Sequence, residues 1–416
     1  VRAPRRIQRR ANMSAVLRYC LGGPQTLADI AAGTGITRPA AESVVADLNE
    51  LGWLTETAVT PQTPRPGRPA TYVGLSPDAG HVLSLDIGAH HVTAMAADLS
   101  GSILVRDRRE LAEDLSADAR LKASTELARK TLSRAGDGPL WTCTAASPGV
   151  VHDGRVAYFG GYGMPGWQGI ELDEAVRAAL GSRVRSAGDC ALGARGESWR
   201  GAAAGFDDVV FILAGSRTGA ASVINGRVHE GLHGAAGLIG ELPQLRWREL
   251  EDETFADSLY DGASPRREQL FAAARRGEAQ ALSALDEYAD VLATGTAAMV
   301  LAVAPQVVVV GGAFSAQADL FLPRFKRRLG ELCPFPRRWR RPGWATTPSS
   351  WAASDSPWTT SWTASTPSCA RRTTSPPPHR QACGSKPAAN IAARPGPLGV
   401  LGDQTLVEPP PSQLGP

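Results

Sequence analysis

The chain has 416 residues, 20% of them charged, and a formal net charge of +3. That length has room for two or three domains, and the balance of charge excludes a bulk polycation. No apolar run reaches membrane-spanning length, no signal peptide is seen, and the six scattered cysteines lack metal-ligand spacing, which points to reduced thiols in a cytoplasm.

Arg2, Arg5, Arg6, Arg9 and Arg10 open the chain with no acid among them. Residues 1–12 read as a basic arm, either solvated or touching phosphates. Met13–Leu21 reads as a short helix with Val16, Leu17 and Cys20 inward. Thr26 to Leu54 carries the clearest signal. Thr26 starts a helix whose inner face is Leu27, Ile30 and Ala31, and Gly33-Thr-Gly35 breaks it. Thr37 is placed to cap a second helix, with Pro39 in its first turn. Ala40, Val44, Leu48 and Leu51 fall on its inner side; Arg38, Glu42 and Asn49 point outward, with Ser43 on a flank. Such a pattern is either a common two-helix corner or a helix-turn-helix that offers its second helix to a major groove. Arg65 and Arg68, among prolines and glycine ahead of a strand-like TYVGL, read as a wing tip for a minor groove or as a solvated linker. The position directly behind the two helices favours a winged helix over residues 13–77, with Thr37, Arg38, Glu42, Ser43, Arg65 and Arg68 as DNA-contacting candidates.

From His81 the period shortens. Three strands with a turn at Leu99-Ser-Gly101 precede a helix near 117–134, a strand at 140–145, a helix at 170–180, a strand at 183–187 and a helix at 190–200. Strands at 208–214, 219–224 and 227–229 restart the order, with Asn225-Gly226 as a hairpin turn. Helices over 265–302, an apolar strand at 306–310 ended by Gly311-Gly312, and a helix over 316–332 follow. Strand-strand-strand-helix-strand-helix, stated twice over 81–200 and 201–333, predicts an α/β, actin-like (ribonuclease-H-like) duplicated ATPase fold behind the winged helix.

These segments together resemble the ROK family, which unites sugar-responsive bacterial repressors with sugar kinases. The resemblance rests on GRPA (67–70), LDIG (85–88), SPGVVHDGRV (147–156), MPGW (164–167), GDCALGARGE (188–197), INGRVHEGLHGAAGLIGEL (224–242) and VVVVGGAFS (307–315). The kinases lack the winged helix, so its presence points to the repressor branch. Where the kinases read Asp-Ile-Gly-Gly-Thr, this chain has Ala89 and His90 in the last two places; the second phosphate loop reads SRTGA, whose Arg217 either binds an anion or is a surface charge. At the family's sugar site, Gly163 replaces an Asn, Gly188-Asp189 replaces Asn-Asp, and Leu238 and Glu241 replace a Glu and a His. Asp189 matches the kinase base; it is either a ligand contact or a helix cap. The resemblance thus implies no catalytic residue, with Gly163, Asp189 and Glu241 as effector-binding candidates. The family's zinc cluster has no counterpart, so neither metal nor cofactor is expected, and His229 and His233 read as loop residues. The implied partners are an operator duplex, a sugar or sugar-derived effector and a second copy of the chain, with no membrane.

After Cys333 acids nearly vanish and prolines crowd the sequence. Residues 334–416 read as a low-complexity tail or, as preferred here, the product of a frameshift near Pro336. Read one base over, Gly343–Trp351 gives a Leu-Gly-Asp-Asp-Ala segment like the start of the family's closing helix. The tail is then expected to be disordered. The expected function is a cytoplasmic regulator, most simply a repressor of carbohydrate genes. Its rivals are an active sugar kinase with an attached DNA-binding domain and a module that has lost its sugar ligand.

Overall fold

The computed structural model describes residues 2–57, 71–161, 163–215, 217–251, 266–333 and 343–346. Arg65, Arg68 and most of the tail therefore lie outside the described residues.

The amino-terminal head contains α1 (Arg2–Cys20), α2 (Leu27–Thr34) and α3 (Arg38–Glu50) with β1 (Gln25–Thr26), β2 (Leu54–Thr57) and β3 (Tyr72–Leu75). The strands form an antiparallel sheet in the order β1-β3-β2. Residues 2–12 are not an arm: they continue α1, which has no acid to interrupt its basic run, and Arg9 pairs with Asp47 of α3. Thr26 caps α2 through a reciprocal box with Asp29, and Gly35 closes that helix at φ 69°, a left-handed conformation that suits glycine. Thr37 stands at the N-cap of α3 but its side chain makes no capping bond. Inside α3, Ala41, Val44, Val45 and Leu48 are buried, while Leu51 lies 60% exposed beyond the helix. Val44 and Leu48 are the inner residues expected of the Ala40–Leu51 stripe, but its ends differ: Ala41 and Val45 are buried, while Ala40 is only half-buried and Leu51 is exposed. Val16, Ile30, Val44, Leu48, Leu54 and Val73 pack as the head's own core.

The body begins at β4 (His81–Ile87). With β5 (His91–Asp98), β6 (Ile103–Glu110), β7 (Leu140–Ser147) and β10 (Arg183–Gly188) it makes a sheet in the order β10-β7-β4-β5-β6. Helix α4 (Ala117–Ala135) packs on this sheet, α5 (Leu172–Leu180) leads into β10, and a small hairpin, β8 (Val150–His152) with β9 (Arg155–Tyr158), follows β7. Helix α6 (Asp189–Arg200) leads to the second sheet: β11 (Val209–Ala214), β12 (Thr218–Ile224), β13 (Arg227–Val228), β14 (Val307–Gly311) and β15 (Gly343–Thr346), in the order β13-β12-β11-β14-β15.

In each sheet the first strand of its half pairs antiparallel with the second and parallel with the fourth, so the duplication is real at the level of strand register. The fifth strand of the second sheet is a departure from expectation. Gly343–Thr346 pairs parallel with Val307–Val310, so these four residues of the tail are ordered. Helices α7 (Trp247–Glu251), α8 (Arg266–Arg275), α9 (Ala279–Val303) and α10 (Ala318–Leu332) complete the second half. Trp247, Leu285, Leu292, Phe321 and Phe325 form its largest core with the inner face of β11 and β14. No helix among the described residues is long and apolar enough to cross a membrane.

Candidate functional site

The segment after β7, the carboxyl end of β10 and the turns of the second half face a cleft of about 510 Å³. It is lined from the first half by Pro148, Gly149, Tyr158 and Asp189, and from the second by Arg217, Gly237, Glu241 and Arg248. A neighbouring cavity of about 200 Å³ reaches Asp86, Gly88, Ala89 and His90 of the first turn and Gly311-Gly312 of β14. Asp189 and Arg217 line both spaces.

The first turn is held from behind. Gly88 N–H donates to His91 O at 2.9 Å, closing a tight hairpin, and Ala89 is buried. The guanidinium of Arg120, on α4 and fully buried, donates to Gly88 O (2.6 Å), Ala89 O (2.7 Å) and Ala112 O (2.9 Å), with Glu113 O at 3.3 Å. A buried cation survives here because four carbonyl dipoles converge on it. Burial and the nearby Arg217 both hold its pKa below the ordinary arginine value. His90 reaches Glu113 at 3.0 Å, so the residue that stands in the kinases' threonine position is tied to the loop before α4.

Two carboxylates face this region. Burial, then the charge of Asp189, pushes Asp86 up to about 7 against the pull of Arg108 and Arg106. Asp189 is itself raised by burial, although its Oδ1 accepts the Cys190 N–H at 2.7 Å and Arg217 lies near enough to lower it. Asp189 is the first residue of α6 and Gly188 is the N-cap, so the capping alternative is met only by this one local bond. Sequence reasoning missed Asp86; its place in LDIG, at the end of a central strand, was the available signal.

Glu241 sits in a short 3-10 turn and is fully engaged. Tyr158 Oη donates to its Oε2 at 2.7 Å, and Arg248 pairs with the same carboxylate while also donating to Tyr158 Oη at 3.1 Å. Burial acts to raise the Glu241 pKa, but the Arg248 and Tyr158 hydrogen bonds outweigh it and the group ends low. This cluster joins β9 of the first half to the second half. Gly160 and Gly161 make it possible: a Cβ on Gly160 would lie 2.0 Å from Arg248 Nη2, and one on Gly161 2.2 Å from Arg217 Nη1. Arg217 also stacks over Phe159, 4.6 Å from the ring centroid. Neither Tyr158 nor Arg248 stood out in the sequence, because Tyr158 joins the cluster only through partners more than 80 residues away, and Arg248, although seven residues from Glu241, is aimed at it by the fold.

Gly163 is not among the residues lining either space. At φ 71° it lets the chain turn beside Glu113 and Ala89, while Gly160 and Gly161 face the cleft instead. His233, at φ 61°, meets His152 across the cleft mouth with ring nitrogens 3.1 Å apart. Zinc of the family type does not fit: the residue at its histidine position is Glu241, bound to Arg248, and no cysteine follows for over 90 residues until Cys333. Among the described residues no three His, Cys, Asp or Glu side chains converge as a metal site.

On the head, Thr37, Arg38, Glu42 and Ser43 are all exposed, along one side of α3. Arg38 Nε and Glu42 Oε1 pair with each other at 3.2 Å.

Two sheets of matching strand order with a polar cleft between them define a two-lobed, sugar-kinase-like α/β domain. Residues 82–247 match the sequence profile of the ROK family. Similar chains include the xylose repressor of Caldicellulosiruptor bescii, 19% identical over 64% of this chain and 74% of the relative. Several other curated relatives are spanned over less than two thirds of their length. Among solved structures, a ROK family transcriptional regulator described as a homolog of the E. coli MLC protein aligns with a TM-score of 0.59 at 18% identity, covering 78% of this chain and 89% of that one. A ROK glucokinase from Streptomyces griseus in complex with glucose and AMPPNP aligns with a TM-score of 0.53 at 21% identity, covering 64% and 94%.

Proposed function

We propose that this chain is a sequence-specific DNA-binding regulator, a repressor of carbohydrate-related genes, working as a homodimer in the cytoplasm. It answers to a sugar or sugar-derived ligand in the cleft between the two halves. The observation that carries the reading is the division of α3: one face builds the head's core, while Arg38, Glu42 and Ser43 stand exposed on the other. The head is then a winged helix-turn-helix, with α3 as the recognition helix and the segment between β2 and β3 as the wing. The resemblance to a xylose repressor and to a ROK transcriptional regulator supports the same reading. Arg38 must exchange Glu42 for a base edge on binding, guanine being the geometric match, with cytosine for Glu42. Genomic footprinting of the tagged protein with and without sugars tests the reading. Loss of duplex binding at low salt, together with hexose-dependent consumption of ATP, overturns it.

One observation favours a second reading, a sugar kinase with an attached DNA-binding domain. Asp86 and Asp189 occupy the positions of the kinases' first-turn aspartate and catalytic base, and their charges are coupled. ATP-dependent phosphorylation of a hexose panel, abolished by Asp189→Asn, would establish it.

A further inference from the structure

The head and the body have separate hydrophobic cores. Between them, the Trp53 ring of the head meets Trp141 of the body edge-on, with centroids 4.6 Å apart and planes at 63°. Trp141 Nε1 donates to Ala79 O at 2.7 Å, gripping the short 3-10 turn Pro77–Ala79 that joins the two parts. Ser76 N–H donates to Trp53 O at 2.9 Å on the head side, and His81 N–H to Pro139 O at 2.8 Å on the body side. Gly80 threads this joint at φ 137°; a Cβ there would sit 2.3 Å from Trp141 Nε1 and 2.6 Å from Pro139 O. The joining segment is therefore gripped at both ends and along its length.

Its far side is mechanically defined. Trp141 is the second residue of β7, and His81 is the first of β4, its parallel neighbour at the centre of the first sheet. Both strands run from the joint towards the second half: β7 ends at Ser147, followed by the cleft residues Pro148 and Gly149, and β4 ends at the turn gripped by Arg120, which lines the neighbouring cavity. Seven or eight residues of central strand make a stiff strut of roughly 25 Å. Each of these contacts ties the head to the first half. A rotation of that half against the second, as the cleft changes, carries the head with it only if the joint is rigid.

We infer that the Trp53–Trp141 contact is the coupling joint through which occupancy of the cleft sets the orientation of the head. This rests on the proposed function for its consequence on DNA, but not for the joint itself.

The test compares wild type with Trp141→Ala and Trp53→Ala, which remove the contact from opposite sides. Amide hydrogen exchange over 76–81 should rise about tenfold or more in both, with no further rise in the double variant. Thermal unfolding should split into separate head and body transitions. In duplex-binding assays with D-xylose and D-glucose as probes, both variants should still bind duplex, with any sugar affinity within about twofold of wild type but the sugar-dependent shift in DNA affinity lost. Trp141→Phe, which keeps a ring but not the indole N–H, should retain part of that shift. Unchanged exchange and a single unfolding transition in both alanine variants overturn the joint. So does a full sugar response in either of them. A wild type that binds duplex but ignores both sugars, while the exchange and melting results hold, leaves the joint in place and counts against the sugar-responsive reading.

Discussion

The outer face of α3 and the cleft of the body differ in how their functional side chains are held. On α3, Arg38, Glu42 and Ser43 project from a helix that is already stabilised by its other face, and their mutual contact is one exposed ion pair. In and behind the cleft and its neighbouring cavity, Asp86, Arg120, Tyr158, Glu241 and Arg248 are at least partly buried and most are bound to one another or to backbone carbonyls. Under the proposed function, a surface that meets a large polyanion keeps its reading groups cheap in folding terms, while a cleft that encloses a small molecule has its polar groups desolvated beforehand, so each must be satisfied by the protein itself. Substitutions in the two regions should separate stability from recognition.

The sharpest way to break this contrast is Arg120→Ala. It orphans four carbonyls and empties a fully buried volume, so chemical denaturation should show a loss of roughly 3–5 kcal/mol. A loss under about 1 kcal/mol would mean that the first turn holds itself and that the brace is incidental.

Asp86→Asn comes next, with a sign that depends on pH. The folded pKa, about 7, lies above the unfolded value, so the native state binds the extra proton. Stability attached to that proton is full below the unfolded pKa and is lost as pH rises towards 7. The amide should therefore stabilise the protein at pH 8, on the order of 2–4 kcal/mol, and flatten the decline between pH 4 and pH 7. A pH profile identical to wild type would show that the carboxylate is not buried as described. Asp189 is also raised, so the two titrate as a pair.

Glu241→Gln weakens the link between β9 and the second half. Glu241 is partly exposed and screened, so the cost should be about 1 kcal/mol at neutral pH. Its pKa is depressed, so its contribution is present above the unfolded value and fades as pH falls through the folded one. At acid pH the variant and wild type should converge. Smallest in stability is Arg38→Ala, within about 0.5 kcal/mol of wild type by thermal unfolding. In a gel shift the same variant should lose roughly 1–3 kcal/mol of discrimination at one base pair. Arg68→Ala should weaken binding without changing that preference.

The same contrast explains what could be read from the sequence. The head was legible because its signals are local: the Thr26 cap, the left-handed Gly35 and the helical spacing of Val44 and Leu48 lie within a few residues of what they determine. Most strands of both halves were legible for the same reason; the β8–β9 hairpin and β15 were not. The ends of the inner face of α3 were less legible: Ala41 and Val45 are buried where Ala40 and Leu51 were expected, because the packing of α1 against α3 is not written in α3. Residues 2–12 were misread as an arm because arginine runs without acids are ambiguous until a partner such as Asp47 is placed beside them. In the cleft, Asp189 and Glu241 could be named by resemblance, and both line it. Arg120, Tyr158 and Arg248 could not, since no spacing along the chain announces a contact between β9 and α7 or between α4 and a carbonyl cluster. Gly163, carried over from a motif position, lines neither space, while Gly160 and Gly161 approach Arg248 and Arg217 closely.

The four-residue strand β15 has a practical consequence for anyone preparing this protein. Val307–Gly311 is buried along its whole length and lies between β11 and β15. A version shortened to end at Cys333 would strip one flank from that run of valines and leave it free to recruit the same segment of another molecule. A shortened version should keep Thr346; cutting earlier removes β15 and leaves a sticky edge.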